Sequence, residues 1–351
     1  MMVWLLLACS ATTRPPSVSP PVAVATLLQG GIVVGQGAVD VRFRDGRIVE
    51  IGPALELGDD ERVDVGGRFL VPAFIDSHVH LAYLAEGESM ADGGVAGAVD
   101  LASPLDFLAL DHAPLQVLAS GPMVTAVGGY PTWTWGSDGY GLECADAEAS
   151  VAAVDRLHTA GARVIKLPVT SDPQLDDDAL SAAVERAHAL GLRVASHALE
   201  EDAVVRAAAA GVDVLAHTPV AALGSGSTAA WSGRAVVGTL SALGGSSTAL
   251  ANLASLRDAG ATVLYGTDFG NTRTAGIDPH EVALMSAAGL SGAEILASGT
   301  SVPAAFWGFP DLGVIEVGRA ASVLVLSADP TLYPDALSTP ETVWISGVRR
   351  P

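Results

Sequence analysis

The sequence predicts an α/β protein, a (β/α)8 TIM barrel with a small β-sandwich domain formed from both chain ends. Three observations predict it. Residues 69–308 run as short apolar segments ending in polar residues, each followed by an alanine-rich helical stretch. Both ends of the chain read instead as short strands separated by turns. The chemically unusual residues fall at the carboxyl ends of the central apolar segments, where barrel enzymes keep their chemistry.

Length and charge bound the reading. The chain has 351 residues, half of them apolar, enough for two domains or one large barrel with an accessory unit. Its formal net charge is −21, from 39 acidic and 18 basic residues. Such a surface repels phosphate backbones and excludes nucleic acid as a partner. It also argues against a polybasic membrane-surface role.

The elements follow in order. Residues 1–22 form a signal- or lipoprotein-like segment and linker: a short apolar run reaches Leu6-Leu7-Ala8-Cys9, which is similar to a bacterial lipobox with Cys9 as the lipidated residue. A Pro-, Ser- and Thr-rich tether follows. The resulting expectation is a lipid-anchored protein of the cell envelope or periplasm; without lipidation it is cytoplasmic. Cys144 is the only other cysteine, so the chain has no disulfide framework and no CxxC metal site.

Residues 23–68 alternate apolar and polar side chains around Asp45-Gly46, and 321–327 and 342–348 repeat that style, so 23–68 and 311–351 are expected to form one composite domain. Residues 69–310 are the expected barrel. Its strands are 70–76, 97–101, 115–119, 163–167, 193–197, 212–217, 235–240 and 262–268. Helices over 176–190 and 200–210 open on acidic residues and close on Gly191 and Gly211. No GxGxxG turn follows the first strand, which tells against a doubly wound open sheet.

The first strand runs into Asp76-Ser77-His78-Val79-His80. Residues two apart in extended backbone share a face, so His78 and His80 can reach one ion. Lys166 ends the fourth strand, His197 the fifth, His217 the sixth and Asp268 the eighth. Lys166 is the only lysine in the chain. An amine can lose its proton and react, whereas a guanidinium cannot. Core histidines placed only for packing would not select successive strand ends.

With these residues in view, the chain resembles the amidohydrolase superfamily, in the branch around imidazolonepropionase-like and prolidase-like metal hydrolases. The resemblance covers roughly residues 27–347. Val71-Pro72-Ala73-Phe74-Ile75-Asp76-Ser77-His78-Val79-His80 is similar to the family's PGxIDxHxH, and 318–326 is similar to its closing strand, with Ser322 where aspartate is usual. Ala98-Val99-Asp100 stands where many relatives have an Arg-Asp pair. The resemblance implies that His78, His80 and Asp268 hold one divalent metal and His197 and His217 a second. Lys166, carboxylated by CO2 to a carbamate, would bridge the two. Zinc suits these ligands best. A bridging water would then be hydroxide near neutral pH, with Asp268 passing its proton to the leaving group.

Specificity is expected in the loop 128–141, which carries four of the chain's eighteen aromatic residues. Tyr130, Trp133 and Trp135 are predicted to line or cover a substrate pocket. Asn271 and Arg273, after the eighth strand, are candidates for binding a substrate carboxylate or carbonyl. His280 reads as a surface residue at a helix start, and His158 and His188 as helix-end cations.

The leading functional expectation is a metal-dependent hydrolase of C–N bonds in a small-molecule substrate: a cyclic amide, an N-acyl amino acid or a small dipeptide. Lactone or phosphoester cleavage on the same metals is the near alternative. A Schiff-base lyase using Lys166 and a non-catalytic envelope binding protein are the distant ones. Membrane attachment through Cys9 and pairing into a homo-oligomer complete the partner expectations.

Overall fold

The computed structural model describes residues 25–351; Cys9 and the rest of the lipoprotein-like segment lie outside the described residues. Strands β1 (Thr26–Val33), β2 (Gly37–Arg44) and β3 (Arg47–Gly52) make an antiparallel meander. Asp45 and Gly46 form the β2–β3 turn with φ of 52° and 76°, the doubly positive backbone that a two-residue hairpin requires. Strands β4 (Glu61–Asp64) and β5 (Phe69–Pro72) both run parallel to β1.

The expected first barrel strand, 70–76, is two strands in the structure. The apolar run breaks at Ala73: β5 belongs to the terminal sheet, and β6 (Phe74–Val79) opens the barrel. Strands β7 (Val95–Asp100) and β8 (Gln116–Ala119) follow in parallel beside it. After a step over Ser120-Gly121-Pro122 the chain resumes as β9 (Met123–Ala126), which pairs with β10 (Gly141–Cys144). Strand β9 packs beside β11 (Val164–Pro168). From there β12 (Arg193–His197), β13 (Val214–Leu215), β14 (Ala235–Val237) and β15 (Thr262–Leu264) continue one parallel ladder.

Single hydrogen bonds link the arcs of the barrel. Arg163 N donates to Ala119 O at 3.0 Å, tying the start of β11 to β8. On the opposite seam, Ser77 N donates to Tyr265 O at 2.9 Å and His80 N to Phe269 O at 2.7 Å, which sets the chain beyond β15 against β6. Strands β14 and β15 are shorter than the sequence predicts. Thr239 and Asp268, at their expected ends, take left-handed backbone with φ of 45° and 55°, which a regular strand cannot hold.

The helices follow their capping residues. Asp177–Ala189 is capped by Asp176, whose side chain accepts from Ala179 N, and Glu201–Ala209 lies within the expected 200–210. Leu180, Ala183, Val184 and Ala187 recur at the helical period and form the buried stripe of the first of these. Strands β6 and β7 are buried at every residue, as expected for strands covered on both faces.

The C-terminal strands β16 (Val323–Leu326), β17 (Thr342–Ile345) and β18 (Val348–Arg349) return to the terminal sheet, β16 pairing antiparallel with β5. Leu28, Val41, Phe43 and Ile48 from one chain end pack with Val323, Val325 and Trp344 from the other in a separate apolar cluster. Ser322 sits in this sheet, where its hydroxyl accepts from Ser346 N at 3.0 Å.

Candidate metal centre

The alternation of β6 sends His78 and His80 to one side, where both are buried. Their Nε2 atoms lie 3.2 Å apart, and Asp268 Oδ1 is 3.0 Å from His80 Nε2 and 3.5 Å from His78 Nε2. His78 Nδ1 donates to Ala216 O at 2.7 Å, so the neutral ring presents a lone pair at Nε2. His80 faces Ala102 O through its own Nδ1 at 3.4 Å. Burial pushes the pKa of His78 well below its ordinary value and keeps the ring neutral. Burial opposes the charge on Asp268, yet its pKa lies below the ordinary value and the carboxylate is ionised. Three electron-pair donors therefore converge on one point, an arrangement that a cation satisfies.

The remaining predicted ligands adjoin this triad. The His217 ring centre is 4.5 Å from that of His78 and 4.8 Å from that of His197. His217 Nδ1 pairs with Thr239 Oγ1 at 3.0 Å. Burial, reinforced by His78, drives His217 far down, and burial with Lys166 takes His197 to about 3. Lys166, fully buried on β11, is brought down to about 7 by burial, against the pull of Asp268 and Asp100. An amine titrating there is partly unprotonated at neutral pH, the form that attacks CO2. The donor set fits divalent metal.

The backbone around Asp268 is built for close approach. A Cβ on Gly266 would lie 2.4 Å from Val237 Cγ1 and 3.1 Å from His78 N, so only glycine fits there. Asp268 N donates to His78 O at 2.8 Å, which locks the left-handed residue in place.

The aromatic loop lies over the imidazoles. Tyr130 stacks on His197 with ring centres 5.3 Å apart, and Trp135 meets His80 edge-on, also at 5.3 Å. Trp135 Nε1 donates to the Tyr130 hydroxyl at 2.8 Å. Trp133 is placed differently: it is 61% exposed, whereas Tyr83, which sequence reasoning did not single out, meets Trp135 with ring centres 6.1 Å apart. Asn271 Nδ2 donates to Asp268 Oδ1 at 3.0 Å. Exposed Arg273 sits with its guanidinium carbon 6.0 Å from the Tyr83 ring centre.

Two further acids shape the site, and the sequence reading gave neither of them a role. Asp76 accepts from His78 N at 3.0 Å, Thr267 N at 3.1 Å and Thr267 Oγ1 at 2.5 Å, riveting β6 to the turn that carries Asp268. Asp100 accepts from Leu81 N at 2.7 Å, beside His80. The polar end of an apolar strand was the available signal for both.

Comparison with known proteins gives the chain a family and a fold. The amidohydrolase family model matches residues 69–349. The chain is 37% identical to an imidazolonepropionase of Micrococcus luteus over 123 residues, 32% of this chain and 29% of that protein. It is 41% identical to a dihydroorotase of Macrococcus caseolyticus over 61 residues, 16% of this chain and 14% of that one. The matched stretches thus span less than a third of each relative's own length. Among solved structures, a putative prolidase from Bifidobacterium longum superposes with a TM-score of 0.79 at 23% identity, covering 94% of this chain and 95% of its own. A Xaa-Pro dipeptidase with bound methionine in its active site gives 0.78 at 19%, covering 93% and 99%. These likenesses show a shared fold, the barrel with its small companion domain. On the family match over most of its length, the chain belongs to the amidohydrolase family.

Proposed function

We propose that this protein is a metal-dependent hydrolase of C–N bonds in small molecules such as cyclic amides, N-acyl amino acids or small dipeptides. The observation that carries the reading is the convergence of His78, His80 and Asp268 on one point, with His217, His197 and Lys166 beside them. His78, His80 and Asp268 would hold one divalent ion and His197 and His217 a second, with carboxylated Lys166 between them and zinc as the metal. Such ions make water nucleophilic near neutral pH and polarise a carbonyl.

The chain's own residues supply the rest. Asp268 Oδ1 faces His80 and Asn271, which leaves Oδ2 to move a proton toward the leaving nitrogen. The Tyr130 oxygen accepts from Trp135, so its own proton can be given to a substrate oxygen. Arg273 offers a guanidinium at the rim for a carboxylate. The names of the relatives, an imidazolonepropionase, a dihydroorotase and a Xaa-Pro dipeptidase, support cyclic amides and dipeptides as the first classes to try. The Leu6-Leu7-Ala8-Cys9 motif supports lipid anchoring in the cell envelope, which mass spectrometry of the mature amino terminus tests.

The test is a panel of cyclic amides, N-acyl amino acids, dipeptides, lactones and phosphoesters, run with zinc-loaded protein and again after chelation. Amide turnover that chelation abolishes and zinc restores supports the reading. Turnover confined to lactones or phosphoesters, or unaffected by chelation, overturns it.

A further inference from the structure

Thr239 holds a position that its own chemistry disfavours. It is β-branched and fully buried, yet its φ is 45°, in the left-handed region that such residues avoid. Strain of this kind persists only where surrounding contacts over-determine it. Here they do. Gly238 N donates to Leu264 O at 2.9 Å and Thr239 N to Gly266 O at 3.0 Å, anchoring one side of the turn to β15. The other side is held by Glu281, a fully buried acid in the first turn of the helix Pro279–Ala287. Its Oε2 accepts from Ser241 N at 2.7 Å. Its Oε1 fills the space beside Gly238, only 2.4 Å from where a Cβ at that glycine would stand. The carboxyl group therefore straddles the turn 238–241.

The turn has one product at the candidate metal centre: it aims Thr239 Oγ1 at His217 Nδ1, 3.0 Å away. The hydroxyl can accept from Nδ1–H, and in that arrangement Nε2 is left free as a ligand. We propose that Glu281 is a positioning residue for His217, holding the 238–241 turn so that Thr239 Oγ1 orients the ring and takes the Nδ1 proton, leaving Nε2 toward the metal centre. The inference rests on the metal-centre reading above. Burial also raises the pKa of Glu281 to about 8, so the group is largely a neutral acid at pH 7, and glutamine is its close mimic.

The test uses the full chain and the variants Glu281→Ala, Glu281→Gln, Thr239→Val, Thr239→Ser and the Glu281→Ala/Thr239→Val double. Zinc affinities are read by chelator competition, and the His217 tautomer by 15N NMR of metal-free, histidine-labelled protein. Glu281→Ala and Thr239→Val should each weaken one of two ions by about 10–100-fold, the range for lost supporting hydrogen bonds. The double variant should lose no more than the worse single, because both act through one bond. Glu281→Gln and Thr239→Ser should stay within about threefold of wild type. The ring should hold one tautomer in wild type and Glu281→Gln and mix tautomers in Glu281→Ala. Should Glu281→Ala fail to fold, Glu281→Met removes the acceptor at similar volume. A variant that lowers Tm but leaves affinities and tautomer unchanged overturns the proposal, as do losses that add in the double. Wild-type protein that binds no zinc defeats the metal-centre reading, and the tautomer comparison then decides the positioning role alone.

Discussion

Trp135 donates its indole N–H to the hydroxyl of Tyr130 across 2.8 Å, while the Tyr130 ring stacks on His197. The bond occupies an acceptor site on the phenol and leaves its proton available above the imidazoles. Tyr130→Phe should then lower kcat/KM by about 10–100-fold through kcat, since a lost donor to a developing oxyanion has that order of effect or more. Steady-state kinetics checks it; an unchanged kcat would remove Tyr130 from the chemistry. Trp133, mostly exposed, should tolerate alanine with kcat/KM within about threefold of wild type, about the effect of losing a solvent-facing contact.

Asn271 is expected to act on Asp268 rather than on substrate alone, because its amide donates to Oδ1. Asn271→Ala should reduce kcat by roughly tenfold, one lost hydrogen bond to a charged group. A purely substrate-binding Asn271 would raise KM and spare kcat. The split between the two constants decides.

Glu281 gives stability a defined pH dependence. Its folded pKa, about 8, lies above the ordinary 4.5, so the folded state holds a proton that the unfolded chain has released between those values. The stability from the neutral acid is complete below pH 4.5 and is lost as pH rises through 8. Glu281→Gln, which cannot ionise, should gain on wild type across that window, at about 1.4 kcal/mol per pKa unit. Paired denaturant titrations from pH 5 to pH 9 read the difference. Parallel curves would place an ordinary carboxylate there.

Gly266→Ala should cost about 1–3 kcal/mol of stability, the usual penalty for forcing a methyl group into a filled space. The added Cβ meets Val237 and the backbone at His78, so zinc binding should weaken with it. Equal stability and equal metal affinity would show that the turn yields more easily than its geometry implies.

Residues that act through local rules were legible in the sequence. His78 and His80 announce themselves by a two-residue spacing, and Lys166, His197, His217 and Asp268 by standing at the ends of apolar runs. What was not legible depends on partners distant in the chain. Within 70–79 only Pro72 hints at the break at Ala73, and what makes it a change of sheet is the distant pairing of β16 with Phe69–Pro72. Glu281, an acid in a helix's first turn, looks like a solvated, dipole-favoured residue until the 238–241 turn is seen packed against it. Thr239 reads as a strand residue, and only the surrounding hydrogen bonds force its left-handed backbone.

The six clustered side chains are proposed to form a binuclear metal centre bridged by carboxylated Lys166. The most direct test is elemental analysis of wild-type protein and Lys166→Ala, both loaded with zinc in bicarbonate. Wild type should bind about two ions per chain, the number of sites these ligands make, and the variant far fewer. One ion, unchanged by the substitution, would contradict the bridging role of Lys166, and no bound metal would contradict the centre itself.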